Sequence, residues 1–162
     1  VEIFIIRHAK AGDPDDTKWP DDTQRPLTRA GAREFERVAE RLRRWRPDVD
    51  MVLSSGWTRA WQTAEILRAC ARWPKPARTK LLETHSAGGV APLVQLLAEQ
   101  PGDARIALVG HQPVLGLLVA DLCSDASARI VMRKGAVAWL EGEPGAMALA
   151  GLLVPRMLRG AE

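Results

Sequence analysis

Two arginines and two histidines in this chain fall where chemistry on an anion could be done. Arg7 and His8 follow the strand-forming residues 2–6, EIFII, and His111 directly follows the apolar run RIALVG at 105–110. Arg59 opens a helical pattern just after the strand pattern DMVLSS at 50–55, and Glu83 ends the short stretch RTKLLE. Guanidinium forks bind phosphoryl oxygens two at a time, and a helix amino terminus adds free amide donors and positive dipole. A neutral imidazole beside them can attack phosphorus, and adjacent guanidinium charge lowers a histidine's pKa and helps keep it neutral before substrate binds. Together the two imidazoles, Arg7 and Arg59 read as a phosphate site, and Ser55 can cap the helix that carries Arg59. An Arg-His pair alone decides nothing, since a histidine at a strand end is more often structural than catalytic.

The residues converge only if the elements that carry them do. After the first strand pattern, the stretch to about Leu27 is rich in Asp, Pro, Thr and Gly and has no periodicity, so it reads as a long loop. From Thr28, an N-cap residue, Phe35, Val38, Ala39, Leu42 and Trp45 form one apolar stripe with arginines and glutamates opposite. A second stripe, Trp57, Ala60, Trp61, Ala64, Leu67 and Ala71, follows the second strand. RTKLLE reads as a short third strand ending at Glu83, APLVQLLAEQ as a helix, RIALVG as a buried strand, and PVLGLLVADLC as a helix with Pro113 near its start. The last third, RIVMRKGAVAWLEGE and AMALAGLLV, reads as strands joined by glycine-containing turns. The alternation predicts a three-layer α/β sandwich with a mixed, mostly parallel central sheet flanked by helices. Ligands of such sheets bind outside the carboxyl ends of the strands. His8, Ser54 with Ser55, Glu83 and His111 should therefore share one edge.

Composition narrows the class without choosing a function. At 162 residues and 46% hydrophobic, the chain is long enough for one domain, taken as residues 1–162, and too short for two comfortable ones. The net charge of +3 rests on 27% charged residues of both signs, which is ordinary for a globular surface and does not call for nucleic acid. Only five of the 23 basic residues are lysine, a bias that fits anion handling but also a GC-rich coding sequence. Cys70 and Cys123 lie in apolar helical context and suit a reduced cytoplasmic protein; neither they nor the acidic stretches 13–16 and 20–22 have the spacing of a metal site. The acidic loop 13–22 reads as solvated. No run approaches the roughly 18 apolar residues of a membrane span. The expectation is a cytoplasmic monomer with no metal, no cofactor, no nucleic-acid partner and no membrane contact.

The segments IIRHAKA, RPLTRAGAREF, LSSGWTRAWQTAEIL and LVGHQPVLG, in that order, resemble the signature segments of the histidine phosphatase superfamily, also called phosphoglycerate mutase-like. SGWTRAWQTA is the most specific of them. Ala9 stands where the family usually has glycine and Gly56 where it usually has proline, and both changes are small. The resemblance implies that His8 is the nucleophile, that Arg7, Arg59 and His111 surround the phosphate, that Ser55 either adds a hydroxyl to that phosphate-binding pocket or merely caps its helix, and that Glu83 matches the position of a proton donor. It also implies no cap domain, because the stretch between Arg59 and Glu83 is too short for capping helices. That brevity, with RPLT, most resembles the SixA branch of short phosphohistidine phosphatases. The implied substrate is phosphohistidine on a partner protein; a small phosphate ester and a non-catalytic phosphate-recognition module remain as alternatives.

Cys123 to Arg129, CSDASAR, has the CxxxxxR spacing of cysteine-dependent phosphatases. It leaves an apolar helix, lacks glycine and puts Asp125 where phosphate would sit, so Cys123 reads as a packed helix-end residue. His85 reads as a pocket-flanking or a surface residue. Trp45, Trp57 and Trp61 read as core, and Trp19 as a loop residue that could border the site.

Overall fold

A computed structural model describes residues 1–83, 88–125 and 127–158; His85 lies outside them. The strands are β1 (Glu2–Arg7), β2 (Met51–Ser54), β3 (Ala77–Arg78), β4 (Arg105–Gly110), β5 (Val137–Glu141) and β6 (Ala148–Leu153). The helices are α1 (Arg29–Trp45), α2 (Thr58–Ile66), α3 (Ala91–Ala98) and α4 (Val114–Leu122), with α2 running on through a π turn at Leu67–Ala71. The strands form one sheet in the order β3-β2-β4-β1-β5-β6. The first four of these are parallel, while β5 pairs antiparallel with β1, and β6 with β5. This is the mixed, mostly parallel sheet expected from the sequence.

Strand side chains alternate between faces, and the core divides accordingly. Ile3, Ile5, Ile106 and Leu108 pack with Leu93, Leu97, Leu115 and Leu118 from α3 and α4. Phe4, Ile6, Ala107 and Val109 pack on the opposite face with Phe35, Val38, Leu42 and Ala60 from α1 and α2. Three layers result, because β1 and β4 are apolar on both faces and each face must be covered. Thr28 caps α1, its hydroxyl accepting from the Gly31 amide at 2.9 Å. A Cβ at position 31 would lie 2.2 Å from the Lys10 carbonyl oxygen, so only glycine lets the start of α1 close on the chain leaving β1.

Three sequence expectations are corrected. The third strand is only Ala77–Arg78; beyond it the Thr79 hydroxyl accepts from the Leu81 amide and turns Lys80–Leu82 into a 3-10 turn, so Glu83 ends a turn and not a strand. Residues 128–133 step between exposed positions and half-buried or buried ones, but residues 128–134 belong to no strand, and side chains take carbonyls there: Arg7 donates to Met132 O and Gln112 to Ile130 O. Trp57 is the N-cap of α2 and only half-buried, one residue outside the helix it was expected to anchor. Among the described residues no helix is long and apolar enough to cross a membrane.

Candidate active site

Parallel register brings the expected residues to one level. Arg7 pairs with Gly110, and Ser54 with Val109, so the residues that leave the carboxyl ends of β1, β2 and β4 are His8, Ser55 and His111. The His8 amide donates to Gly110 O at 3.0 Å and the Ser55 amide to Val109 O at 2.9 Å, extending the ladder by one step under both side chains. From the other flank, the Gly135 amide donates to both the Arg7 and His8 carbonyls. His8 is thus held by its backbone from β4 on one side and from the turn before β5 on the other.

The His8 ring is oriented by its own loop. Its Nδ1 lies 2.7 Å from the Ala9 carbonyl oxygen. A carbonyl only accepts, so Nδ1 carries the proton and the lone pair is on Nε2. Burial pulls the His8 pKa down to about 3, with the Arg59, Arg7 and Lys134 charges adding to it and the Ala9 hydrogen bond opposing it. His111 is pulled down to about 2 by burial, then by His8, Arg59 and Arg7, with Asp22 opposing. Both imidazoles are therefore neutral near pH 7, and their ring centroids lie 5.1 Å apart. His111 Nε2 is 3.0 Å from the Ser55 hydroxyl, which already accepts from the Trp57 amide. When the hydroxyl gives its proton to Nε2, Nδ1 is the protonated nitrogen of His111 and can donate. Ser55 thus both supports the turn into α2 and bonds His111.

Each guanidinium is anchored by its terminal nitrogens. Arg7 Nη1 donates to Met132 O at 2.8 Å. Arg59, in the first turn of α2, donates from Nη1 to Asp22 O at 2.7 Å and pairs through Nη2 with the Asp22 carboxylate at 3.1 Å. The Trp57 ring packs 4.8 Å from the Arg59 guanidinium and 4.7 Å from the His111 ring, wedging both planes. Thr63 ties helix to strand: its hydroxyl accepts from the Ala9 amide at 3.0 Å and donates to Arg59 O at 2.7 Å.

Four buried side-chain polar atoms lack a hydrogen-bond partner among the described residues, and three belong here: Arg7 Nε, Arg59 Nε and His111 Nδ1. Native proteins rarely leave such atoms unsatisfied, since each costs about 1–3 kcal/mol. Three donors gathered beside one imidazole lone pair form a cradle for an oxyanion. The fourth, Trp139 Nε1, belongs to a ring packed against Trp45 and Arg46, away from these residues.

Glu83 reaches the same rim from the 3-10 turn. A Cβ at Gly56 would lie 3.5 Å from Glu83 Oε1, and one at Gly110 would lie 3.0 Å from Leu82 O, so the turn packs on the strand end that precedes His111. The structure places Glu83 beside the entry to α2. Sequence reasoning missed Asp22, read as part of a solvated loop, and misplaced Trp57. The charge of Lys134, in the turn before β5, is felt at His8. Cys123, by contrast, caps the end of α4, and burial pushes its thiol up, away from the thiolate a cysteine phosphatase needs.

Residues 3–88 match the sequence profile of the histidine phosphatase superfamily (branch 1), and the chain belongs to that superfamily. Within it, similarity runs to the SixA type. The chain is 32% identical over 125 residues to the phosphohistidine phosphatase SixA of Escherichia coli K12, covering 76% of this chain and 74% of that one. Its fold matches the structure of the protein histidine phosphatase SixA complexed with tungstate with a TM-score of 0.84, at 28% identity, over 98% of this chain and 100% of that one. It is also 32% identical to an uncharacterised protein of Mycobacterium tuberculosis over 167 residues, covering 93% of this chain and all of that one. Between Arg59 and Glu83, all of it described, the chain runs through α2, the π turn, β3 and the 3-10 turn, with no inserted cap.

Proposed function

We propose that this chain removes the phosphoryl group from phosphohistidine on a partner protein, through a covalent phosphohistidine on His8 and without a metal ion. In the first step His8 Nε2 attacks phosphorus in line. The new N–P bond forms as the P–N bond of the substrate breaks, and the departing imidazole takes up a proton from solvent water, which the later hydrolysis step returns. Water then attacks the phosphoenzyme, releasing inorganic phosphate and restoring the neutral His8 ring. Arg7, Arg59 and His111 hold the equatorial oxygens throughout. Arginines and an imidazole take the charge that magnesium handles in kinases, so a chelator should leave the rate unchanged.

The observation that carries this reading is the set of three buried side-chain nitrogens, Arg7 Nε, Arg59 Nε and His111 Nδ1, that lack a partner among the described residues, around an imidazole whose Nδ1 is already committed. A pocket that merely bound phosphate would not need the oriented Nε2 lone pair. The similarity to SixA, with a short uncapped edge open to a folded partner, supports a protein substrate. Rapid quenching during turnover of a phosphohistidine protein should trap a phosphoenzyme that is acid-labile and base-stable, and His8→Ala should abolish it. Label that survives this substitution, or that sits on Cys123, rules the mechanism out.

A second substrate class rests on Glu83, which matches the position of a proton donor for poorer leaving groups and whose Oε1 lies beside Gly56 at the entry to α2. Imidazole leaves far more readily than an alkoxide and depends less on a positioned acid. Glu83→Gln should therefore cut hydrolysis of alkyl phosphate monoesters sharply while largely sparing a phosphohistidine protein. Equal loss on both, or a wild-type preference for a small phosphate ester, moves the chain to the small-molecule phosphatases.

A further inference from the structure

We propose that Asp22, in the loop between β1 and α1, is a positioning residue that clamps the two terminal nitrogens of Arg59 and so presents the Nε edge of that guanidinium to the phosphoryl group. The proposal rests on the reading of Arg59 as a phosphate ligand. A guanidinium offers a fork of donors on more than one edge, and only one edge can serve the substrate at a time. Here Nη1 is taken by the Asp22 carbonyl at 2.7 Å and Nη2 by its carboxylate at 3.1 Å, whereas the buried Nε has no hydrogen-bond partner among the described residues. One residue therefore holds the arginine by backbone and side chain together and leaves the Nε edge free.

Asp22 is itself held. Arg25, 7% exposed, donates from Nε to Asp22 Oδ1 at 2.7 Å, lies 3.4 Å through Nη2 from Oδ2, and reaches the Gly12 carbonyl with Nη1. Arg25 thereby clips the start of the loop, at Gly12, to its end, at Asp22. Asp21 fixes the backbone of Asp22 by accepting the Thr23 amide at 3.0 Å and so starting the 3-10 turn Asp22–Gln24. The Arg25 hydrogen bond, with the Arg59 charge behind it, holds the Asp22 carboxyl below the usual carboxylate range, so it is charged near neutral pH. Two cations share one carboxylate, and the pocket keeps a net positive charge for an anion.

Charge and position predict opposite results for Asp22→Asn. By Coulomb's law alone, removing a carboxylate beside an anion site strengthens anion binding. If Asp22 positions Arg59, its loss lets the guanidinium turn and weakens binding instead. The test uses inhibition by tungstate and turnover of a phosphohistidine protein, in wild type, Asp22→Asn, Asp22→Glu, Arg59→Ala and the Asp22→Asn/Arg59→Ala double variant, with thermal melts to confirm folding. Expected is a loss of kcat/KM of roughly ten- to a hundredfold in Asp22→Asn, as for other small misplacements of a catalytic group, together with weaker tungstate inhibition. Asp22→Glu should recover part of both, and Asp22→Asn should cost nothing further once Arg59 is absent. Tighter tungstate or faster turnover in Asp22→Asn would make Asp22 a competing anion and overturn the proposal. An undiminished Asp22→Asn loss in the Arg59→Ala background would also overturn it, while leaving the phosphate pocket intact. Full activity in Arg59→Ala would take down the pocket reading and the proposal together.

Discussion

At the amino edge of the parallel strands, Arg46 and Arg105 meet carboxylates. Arg46 pairs with Glu2 at 3.1 Å, and Arg105 reaches Glu2 at 3.7 Å and bonds Asp48. A cleft of about 550 Å³ opens there, lined by residues that include Asp50, Asp103 and Arg105. At the carboxyl edge, Arg7 and Arg59 are gripped by their terminal nitrogens, and among the described residues their buried Nε atoms have no partner. The same residue type thus closes one edge of the sheet and arms the other. An opening of useful size marks a site less reliably than donors whose partners are missing, because water fills a cleft freely whereas a buried unpaired N–H is maintained against a cost.

The sharpest way to break that contrast is one substitution made at both edges. Arg59→Lys keeps the charge and loses the fork, so kcat should fall by about 10² or more, the scale of removing one preorganised oxyanion donor. Near-normal turnover would put Arg59 in the same structural class as Arg105. A smaller effect should appear in the pH dependence of stability. His8 has a folded pKa of about 3 against an ordinary 6.5, so between those values the unfolded chain binds the extra proton. Stability is therefore full above pH 6.5 and declines as pH falls towards 3, by up to about 1.4 kcal/mol per pH unit for each such imidazole. Denaturant titrations of His8→Asn should show a shallower decline; an unchanged slope would mean that His8 is not buried in its neutral form. The smallest effect belongs to the amino edge: Arg105→Lys should shift stability by less than about 1 kcal/mol, as partly exposed ion pairs do, and leave turnover within error. A clear loss of turnover there would mean that the amino-edge cleft takes part in function.

What the sequence made legible follows from how local each cause is. RIALVG was readable residue for residue as β4, since an apolar run buried on both faces needs no partner to be recognised. Thr28 announced α1 through a cap made three residues away. The convergence of His8, Ser55 and His111 followed from the sheet class alone. Asp22 was hidden because its partner Arg59 lies 37 residues on, and a run of aspartates in a loop looks the same whether it meets solvent or a guanidinium. Residues 128–134 have the alternation of a strand, yet the side chains of Arg7 and Gln112 claim carbonyls there, a competition no local pattern records. Trp57 was assigned to a helical stripe because the pattern does not reveal that α2 begins one residue later.

Thr63 carries a constraint of another kind. Its hydroxyl must receive the Ala9 amide and give its own proton to the Arg59 carbonyl, in a position with no solvent exposure. A valine there would keep the shape and lose both bonds, and an asparagine would bring bulk for which a close-packed interior has no room. Serine alone shares the alphabet of that position. The rim around His8 and Arg59 can thereby vary while the spacing between those two residues stays tied through a single oxygen atom.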